Sequence, residues 1–192
     1  PDGRSLFSIL QSPLIQDGAL NAKNKRIGRN IRVLELPTGA PAETDAGADQ
    51  ARVGEDSQRT PREYVYVLDD PKYGVSEMLA INSQRFLVIE RDGNAGAEAA
   101  FKRITMLDLS GATDVSAIES LPSVGLPASV VAGMKKPFLD LLDPRFGLAG
   151  EAFPEKIEGL CWGPDLSDGR RTLFVSTDND FKPDQPTFIW VF

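Results

Sequence analysis

The chain of 192 residues contains no histidine at all. Without imidazole there is no Ser-His-Asp or Cys-His catalysis, no histidine general acid or base, and no zinc site of the usual imidazole type. Hydrolytic chemistry in this chain must therefore use carboxylates, Lys, Arg or Tyr, or a hard cation held by oxygen atoms. Calcium and magnesium are the cations that such a composition favours.

Cysteine, long apolar runs and positive charge are also scarce. The single cysteine, Cys161, excludes an internal disulfide framework, and its place between Leu160 and Trp162 in an apolar run predicts a buried, inert thiol. No apolar run approaches the roughly 20 residues that span a bilayer, so no membrane span is expected. The 21 Lys and Arg residues against 28 Asp and Glu give a net charge of −7, which argues against a nucleic-acid partner.

One stretch near the C-terminal end predicts a hairpin with acidic groups at its open end. Apolar runs at residues 157–162 and 172–176 flank a loop of turn-forming residues at 163–169. Antiparallel strands joined by such a loop return the chain to its origin. Glu158 and the acidic and amide groups of residues 178–180 should therefore gather at one edge of a sheet.

The strand pattern of this hairpin occurs three times in the chain. Each unit is a polar turn, an apolar strand and a polar end, followed by a second strand, and two units have a leading strand that contains Glu. Repeats of this kind predict an all-β fold, a partial β-propeller with about three to four blades visible. The spacing between the aligned strands of successive units is about twice the length of a typical blade of ~40–45 residues. Long insertions, or an intervening blade around residues 64–68, must therefore lie between the units. The units are residues 4–12, 84–92 and 171–179, their following strands 31–36, 104–109 and 187–192, and the leading strands 76–81 and 157–162.

We expect residues 1–192 to be part of a single β-propeller domain whose N-terminal blades are missing. The opening Pro1-Asp2-Gly3 is typical of a hairpin turn whose first strand would precede residue 1. An incomplete propeller would leave open sheet edges, so the remainder of its own propeller is the expected partner.

Two segments depart from the strand pattern. Residues 37–62 are rich in Pro, Gly, Ala and acidic residues and predict a mobile loop. Residues 110–153 form an insertion, and within it the stretch 136–143 predicts a short helix. The reason is Pro137 at a first helical position, with apolar residues following at helical spacing.

Several motifs resemble those of the phytase-like family, described as "esterase-like activity of phytase". They are Ser76-Glu77-Met78-Leu79-Ala80, the Ile157-Glu158-Gly159-Leu160 strand, and Asp178-Asn179-Asp180-Phe181, where Asp180 stands in place of an expected second Asn. The resemblance implies a bacterial β-propeller that is exported, hence periplasmic or secreted. It also implies repeated Glu and Asp residues that act on phosphoesters, hence an anionic phosphoester as the small-molecule substrate.

Repetition around an axis would bring Glu77 and Glu158 to a common mouth, where carboxylates can share a cation. The hypothesis is metal-assisted hydrolysis of a phosphomonoester or phosphodiester, in which calcium polarises the phosphoryl group and an arginine offsets developing charge. The predicted catalytic residues are Glu77, Glu158 and Arg91. The predicted metal ligands are Glu77, Glu158, Glu90, Asp178 and Asn179, and the predicted substrate-binding residues are Arg91 and Lys156.

Each of these assignments has a structural alternative. The glutamates could accept backbone hydrogen bonds that fix blade spacing, and residues 90–92 could form a local ion-pair set. Residues 178–180 could simply form a turn, because Asx side chains bond their own backbone. At the level of the whole protein, the alternative is a noncatalytic propeller that binds a ligand or a protein and holds calcium for structure.

Overall fold

A computed structural model describes residues 3–38 and 60–192 of the chain. Most of the predicted loop at 37–62 therefore lies outside the described residues. Within the described ranges, helix is limited to two 3-10 turns, Gly96–Glu98 and Pro144–Phe146. No helix in these ranges has the length and the apolar composition needed to cross a membrane.

The described residues form ten strands in three antiparallel sheets. The first sheet has the order β1-β2-β3, the second β4-β5-β6-β7, and the third β10-β9-β8. The all-β prediction is confirmed. The described sheets do not close into a barrel or a propeller, so the propeller and its number of blades stay predictions. The strands are β1 (Ser5–Ile9), β2 (Asn30–Pro37), β3 (Arg62–Val67), β4 (Gly74–Ala80), β5 (Arg85–Arg91), β6 (Lys102–Asp108), β7 (Met134–Asp140), β8 (Ile157–Trp162), β9 (Leu173–Thr177) and β10 (Ile189–Val191).

The predicted strands and the predicted hairpin agree with this arrangement. β8 and β9 pair antiparallel, with Leu160 opposite Val175. The run at residues 64–68 is not an intervening blade, because β3 pairs with β2 as the third strand of the first sheet. The long spacing between repeats is filled by insertions, as the other alternative proposed.

The short helix predicted at residues 136–143 is wrong. Most of this stretch belongs to β7, which pairs antiparallel with β6 along the edge of the second sheet. Pro137 has no N–H to donate, and a strand tolerates it at such an edge, here beside the irregular register between Ile104 and Thr105. Pairing with β6 outweighs the local helical spacing, since tertiary context overrides propensity.

The three sheets stack, and the second sheet is buried on both faces. Phe86 and Val88 pack toward the first sheet, in a cluster with Ile31 and Tyr66. Leu87, Ile89 and Ile104 point the other way, in a cluster with residues of the third sheet that include Leu160 and Val175. A smaller cluster packs the insertion against β3 through Val65, Val115, Leu121 and Val130.

Cys161 is exposed, contrary to the prediction of a buried thiol. Leu160 and Val175 on the inner face of the third sheet are buried, whereas Cys161 lies opposite Phe174 on the other face. The apolar neighbours of Cys161 in sequence belong to the buried face, because side chains alternate along a strand.

A buried ion pair ties the loop after β1 to the first sheet. Arg32 donates from Nη2 to Asp17 Oδ1 at 2.8 Å and from Nη1 to Glu63 Oε2 at 2.6 Å. Burial alone would raise the pKa of Asp17, but the hydrogen bonds from Arg32 and from the Leu121 backbone N–H outweigh it and lower that pKa. Leu121 belongs to the insertion, so Asp17 holds three segments together.

Replacing Asp17 with Asn should lower the free energy of unfolding by about 3–5 kcal/mol, because it leaves the buried Arg32 charge without its main partner. Asp168→Asn is the matched control: it removes a carboxylate from the exposed pair with Arg170, and should change stability by less than about 1 kcal/mol. Urea denaturation of both variants measures the two values. Equal losses of unfolding free energy would show that the buried Asp17–Arg32 pair stabilises the fold no more than the exposed pair does.

Candidate functional site

The leading strands β4 and β8 contain a β-bulge at the same place. In β4, Val75 pairs with Glu90 and Glu77 with Ile89, so Ser76 is the extra residue. In β8, Ile157 pairs with Thr177 and Gly159 with Ser176, so Glu158 is the extra residue. The structural equivalent of Glu158 is therefore Ser76. The sequence alignment that placed Glu77 and Glu158 in like positions was wrong by one residue.

Arg91, at the end of β5, connects the two bulged residues. Its Nε donates to Ser76 Oγ at 2.7 Å, and its Nη2 donates to Glu158 Oε1 at 2.7 Å. A third bond runs from Nη1 to the Asp92 carbonyl oxygen at 3.3 Å. Since Ser76 is in the second sheet and Glu158 in the third, this guanidinium fixes the two leading strands relative to each other.

The structure brings Glu77 and Glu158 to the same cavity, although they are not equivalent. The cavity has a volume of about 330 Å³ and is also lined by Ser76 and by Phe7 and Ile9 of β1. Glu77 Oε1 accepts a hydrogen bond from the Met78 backbone N–H at 2.7 Å. That the two carboxylates act together at a common mouth stays a prediction.

A larger cleft adjoins this cavity, and Gln11 and Glu158 line both. Its volume is about 650 Å³, and its walls come from the loop after β1, the turn before β4 and the residues before β8. We call it the cationic cleft, because it gathers basic side chains in a chain of net charge −7. The basic residues that line it are Lys25, Arg26, Lys72, Arg91 and Lys156.

Two of these residues, Arg91 and Lys156, were predicted as substrate-binding. Sequence reasoning missed Lys25, Arg26 and Lys72, since they lie in two loops that are far apart in the chain. The available signal for two of them was the cluster of Lys23, Lys25 and Arg26.

Glu90 is fully buried between the first and second sheets, away from the cationic cleft. Its carboxylate accepts hydrogen bonds from Tyr66 Oη at 2.6 Å, the Asp69 backbone N–H at 2.6 Å and Lys135 Nζ at 2.5 Å. Burial and the nearby Glu90 carboxylate raise the pKa of Tyr66. Glu90 therefore joins three strands and a loop.

Residues 178–180 form a turn after β9, which was the structural alternative. Asp178 Oδ1 accepts from the Asp180 backbone N–H at 3.0 Å, and Asn179 Oδ1 accepts from the Phe181 N–H at 3.1 Å. Asp180 pairs with Lys156, and this hydrogen bond raises the pKa of Lys156. Asp178 and Asp180 line a separate cavity of about 350 Å³, which shares Lys156 with the cationic cleft.

The predicted calcium ligands do not fit a single calcium ion. Glu77 and Glu158 line one cavity, Glu90 is enclosed between two sheets, and Asp178 and Asn179 belong to the turn. Calcium takes six to eight oxygen ligands. Within residues 3–38 and 60–192, no three Asp, Glu or Cys side chains come together as a metal site.

Asp92 supports the strand end that carries Arg91. Its Oδ2 accepts from the backbone N–H groups of Ala100 at 2.8 Å and Phe101 at 2.9 Å, and its Oδ1 lies 3.0 Å from Lys102 Nζ. Burial would raise the pKa of Asp92, but these donors outweigh it and lower that pKa. Burial also lowers the pKa of Lys102.

A double-mutant cycle on Arg91→Met and Glu158→Gln measures the contact between the leading strands. Each single variant should lose stability, and the double variant should lose about 1 to 2 kcal/mol less than the sum, because one interaction is removed twice. Urea denaturation gives the three values. Additive losses would mean that this contact does not couple the second and third sheets.

Asp92 should make the protein sensitive to acid. Its folded pKa lies below the ordinary value of 3.8, so its stabilising contribution is complete above pH ~4 and is lost as the pH falls through the lowered pKa. The variant Asp92→Asn, which has no carboxyl to titrate, should be less stable at neutral pH and should lose less stability between about pH 6 and pH 3. Thermal melts across this range test the slopes, and parallel curves for the two proteins would contradict the assignment.

Comparison with known proteins gives one positive result. Neither a curated protein nor a solved structure matches the chain. A family model described as "Phytase-like: Esterase-like activity of phytase" matches residues 1–181, which includes all the residues of the cationic cleft and of the adjoining cavity. The resemblance seen in the sequence motifs is thereby confirmed, and the chain belongs to the phytase-like family.

Proposed function

We propose that the protein hydrolyses a phosphate ester that binds in the cationic cleft. The observation that carries this proposal is the placement of Glu158 among five basic residues in a cleft of about 650 Å³, which Asp92 and Glu155 also line. Membership of the phytase-like family supports a hydrolase of the phosphoesterase type.

The cleft has the charge and the donors that a phosphate group needs. Lys25 and Lys72 are exposed, so their ammonium groups can reach a ligand. Arg26 lines the cleft, and its Nη1 is a buried nitrogen that makes no hydrogen bond with the described residues. A buried cationic donor without a partner is unfavourable, and a phosphate oxygen would satisfy it.

In this proposal, Glu158 is the residue that acts on water. Arg91 holds one carboxylate oxygen, while 34% of the side chain stays exposed. In the proposed step, this carboxylate orients a water molecule and accepts its proton as the water oxygen attacks phosphorus. The ester P–O bond breaks, and the leaving oxygen takes a proton from solvent. The basic residues of the cleft offset the charge that develops on the phosphoryl oxygens.

Glu77 would face the organic part of the substrate. It lies in the adjoining cavity with Ser76, and Glu158 borders both spaces. A phosphate in the cleft would therefore direct its ester group toward this smaller, polar cavity. No step of this mechanism passes through a metal ion.

The second candidate is an anion-binding protein without turnover. The observation that favours it is the bonding of Arg91, because all three of its hydrogen bonds go to protein groups. Arg91 then acts as a positioning residue, and the cleft would hold phosphate without hydrolysing it.

Export of the protein to the periplasm or the medium is also part of the proposed function. The family resemblance alone supports it, and fractionation of cells checks it.

Glu158→Gln should reduce kcat on an aryl phosphate about 100-fold or more while leaving the affinity for inorganic phosphate within about threefold, since a general base contributes 10²–10⁴. Arg26→Met should instead weaken phosphate binding, because it removes a donor of the cleft. Hydrolysis is followed by release of the phenol, and phosphate binding by calorimetry.

Lys136→Met is the matched control, because Lys136 is an exposed cation on β7 outside the cleft. It should leave both measurements unchanged. Phosphate binding without turnover in the parent protein would select the second candidate, and absence of both would end the proposal. The assays are run with calcium and with a chelator, so that any metal dependence is recorded separately from the effect of each side chain.

A further inference from the structure

A short segment between β1 and β2 supplies two of the five basic residues of the cationic cleft. Residues 19–27 form a narrow hairpin, in which Leu20 and Arg26 pair as an isolated antiparallel bridge. We call this segment the finger. Lys25 and Arg26 on its returning side and Asn21 on its outgoing side all line the cleft.

Two glycines fix the base of the finger. A Cβ atom on Gly18 would lie 2.5 Å from the Ile27 carbonyl oxygen and 2.9 Å from Pro13 Cβ, so this close approach requires glycine. Gly28 has a φ of 149°, which residues with a side chain rarely adopt. The chain therefore enters and leaves the finger through one tightly packed place.

Asn21 shapes the tip of the finger. Its Oδ1 accepts hydrogen bonds from the backbone N–H of Lys23 at 2.9 Å and of Lys25 at 3.0 Å. Its backbone N–H donates to the Lys25 carbonyl oxygen at 2.9 Å, and its carbonyl oxygen accepts from the Asn24 N–H at 2.9 Å. Asn24 has a φ of 56°, a left-handed conformation that asparagine adopts more readily than most residues. The turn that presents Lys25 thus depends on one side chain.

The finger keeps its shape by its own hydrogen bonds. Among residues 3–38 and 60–192, every hydrogen bond made by residues 19–27 joins two atoms of the finger. Within these same ranges, neither Lys25 nor Arg26 forms an ion pair, and the buried Arg26 Nη1 has no hydrogen-bond partner. The internal bonds of the finger therefore decide where these two cations point.

We propose that Asn21 is a positioning residue for phosphate binding: it holds the tip of the finger so that Lys25 and Arg26 face the cationic cleft. This inference rests on the proposed function, since it concerns how the cleft binds the phosphate group. Donors that are already in place bind an anion more tightly, because binding does not have to order them. Asn21 is uncharged and takes no part in activating water, so it affects affinity and leaves the chemical step to Glu158.

Asn21→Ala should raise KM for an aryl phosphate and Kd for inorganic phosphate by about tenfold, because two hydrogen bonds that preorganise the finger are lost. The kcat should stay within about twofold of the parent value, since only binding is weakened. Asn21→Ser should recover part of the affinity, because a serine hydroxyl caps the same N–H groups more weakly. Hydrogen exchange should quicken in residues 19–27 of the alanine variant and stay unchanged in the three sheets.

Asn82→Ala is the matched control. Asn82 Oδ1 also accepts from two backbone N–H groups, those of Gln84 at 3.0 Å and Arg85 at 2.9 Å, but it lies in the turn between β4 and β5, outside the cationic cleft. This variant should keep the KM and Kd of the parent. The Kd measurement by calorimetry serves whether or not a bound phosphate ester is hydrolysed.

The outcomes separate this inference from the proposed function. Equal phosphate affinity in the parent and in Asn21→Ala, or an equal loss in Asn82→Ala, would overturn the inference and leave the function standing. Unchanged exchange in the finger, a serine variant no better than alanine, or a fall in kcat at unchanged KM would overturn it as well. A parent protein that binds no phosphate would end the proposed function itself, and the inference with it.

Discussion

The hydrogen bonds of Arg91 are the constraint on which the rest of this site depends. A single guanidinium bonds the extra residue of the β4 bulge and the extra residue of the β8 bulge. It therefore sets the distance between two sheets and the orientation of Glu158 at once. The cavity that contains Glu77 and the cleft that contains the basic residues meet at Glu158, so both depend on where Arg91 holds it.

The surroundings of Arg91 explain why it stays in place. Asp92 anchors the end of β5 through backbone donors and Lys102, and Glu90 fixes the other side of the strand through Tyr66 and Lys135. Glu90 and Arg91 point to opposite sides of β5 because side chains alternate along a strand, and Asp92, just past the strand end, lines the cationic cleft together with Arg91. Glu90 pairs with Lys135 of β7 and Asp92 with Lys102 of β6, so both carboxylates tie the end of β5 to other strands of the second sheet.

Most of the fold could be predicted from the sequence, because alternation and turn residues mark strands strongly. The site was harder. The one-residue error between Glu77 and Glu158 arose from matching one glutamate to the other, whereas the strand pairing makes Ser76 the equivalent of Glu158. The helix at 136–143 failed because strand pairing decided its conformation. Lys25, Arg26 and Lys72 could not be assigned from sequence, because only the packing of two distant loops brings them together.

The shared bulge gives each repeat one position at which the side chain can be exchanged. The extra residue of a bulge takes no place in the ladder, so its side chain is not chosen by a partner across the strand. One unit has Ser76 there and the other has Glu158, and the two strands pair in the same way. A repeated fold with this bulge can therefore have a hydroxyl in one unit and a carboxylate in another at the same structural position. Chemistry can then differ between repeats while the strand pairing around the bulge stays the same.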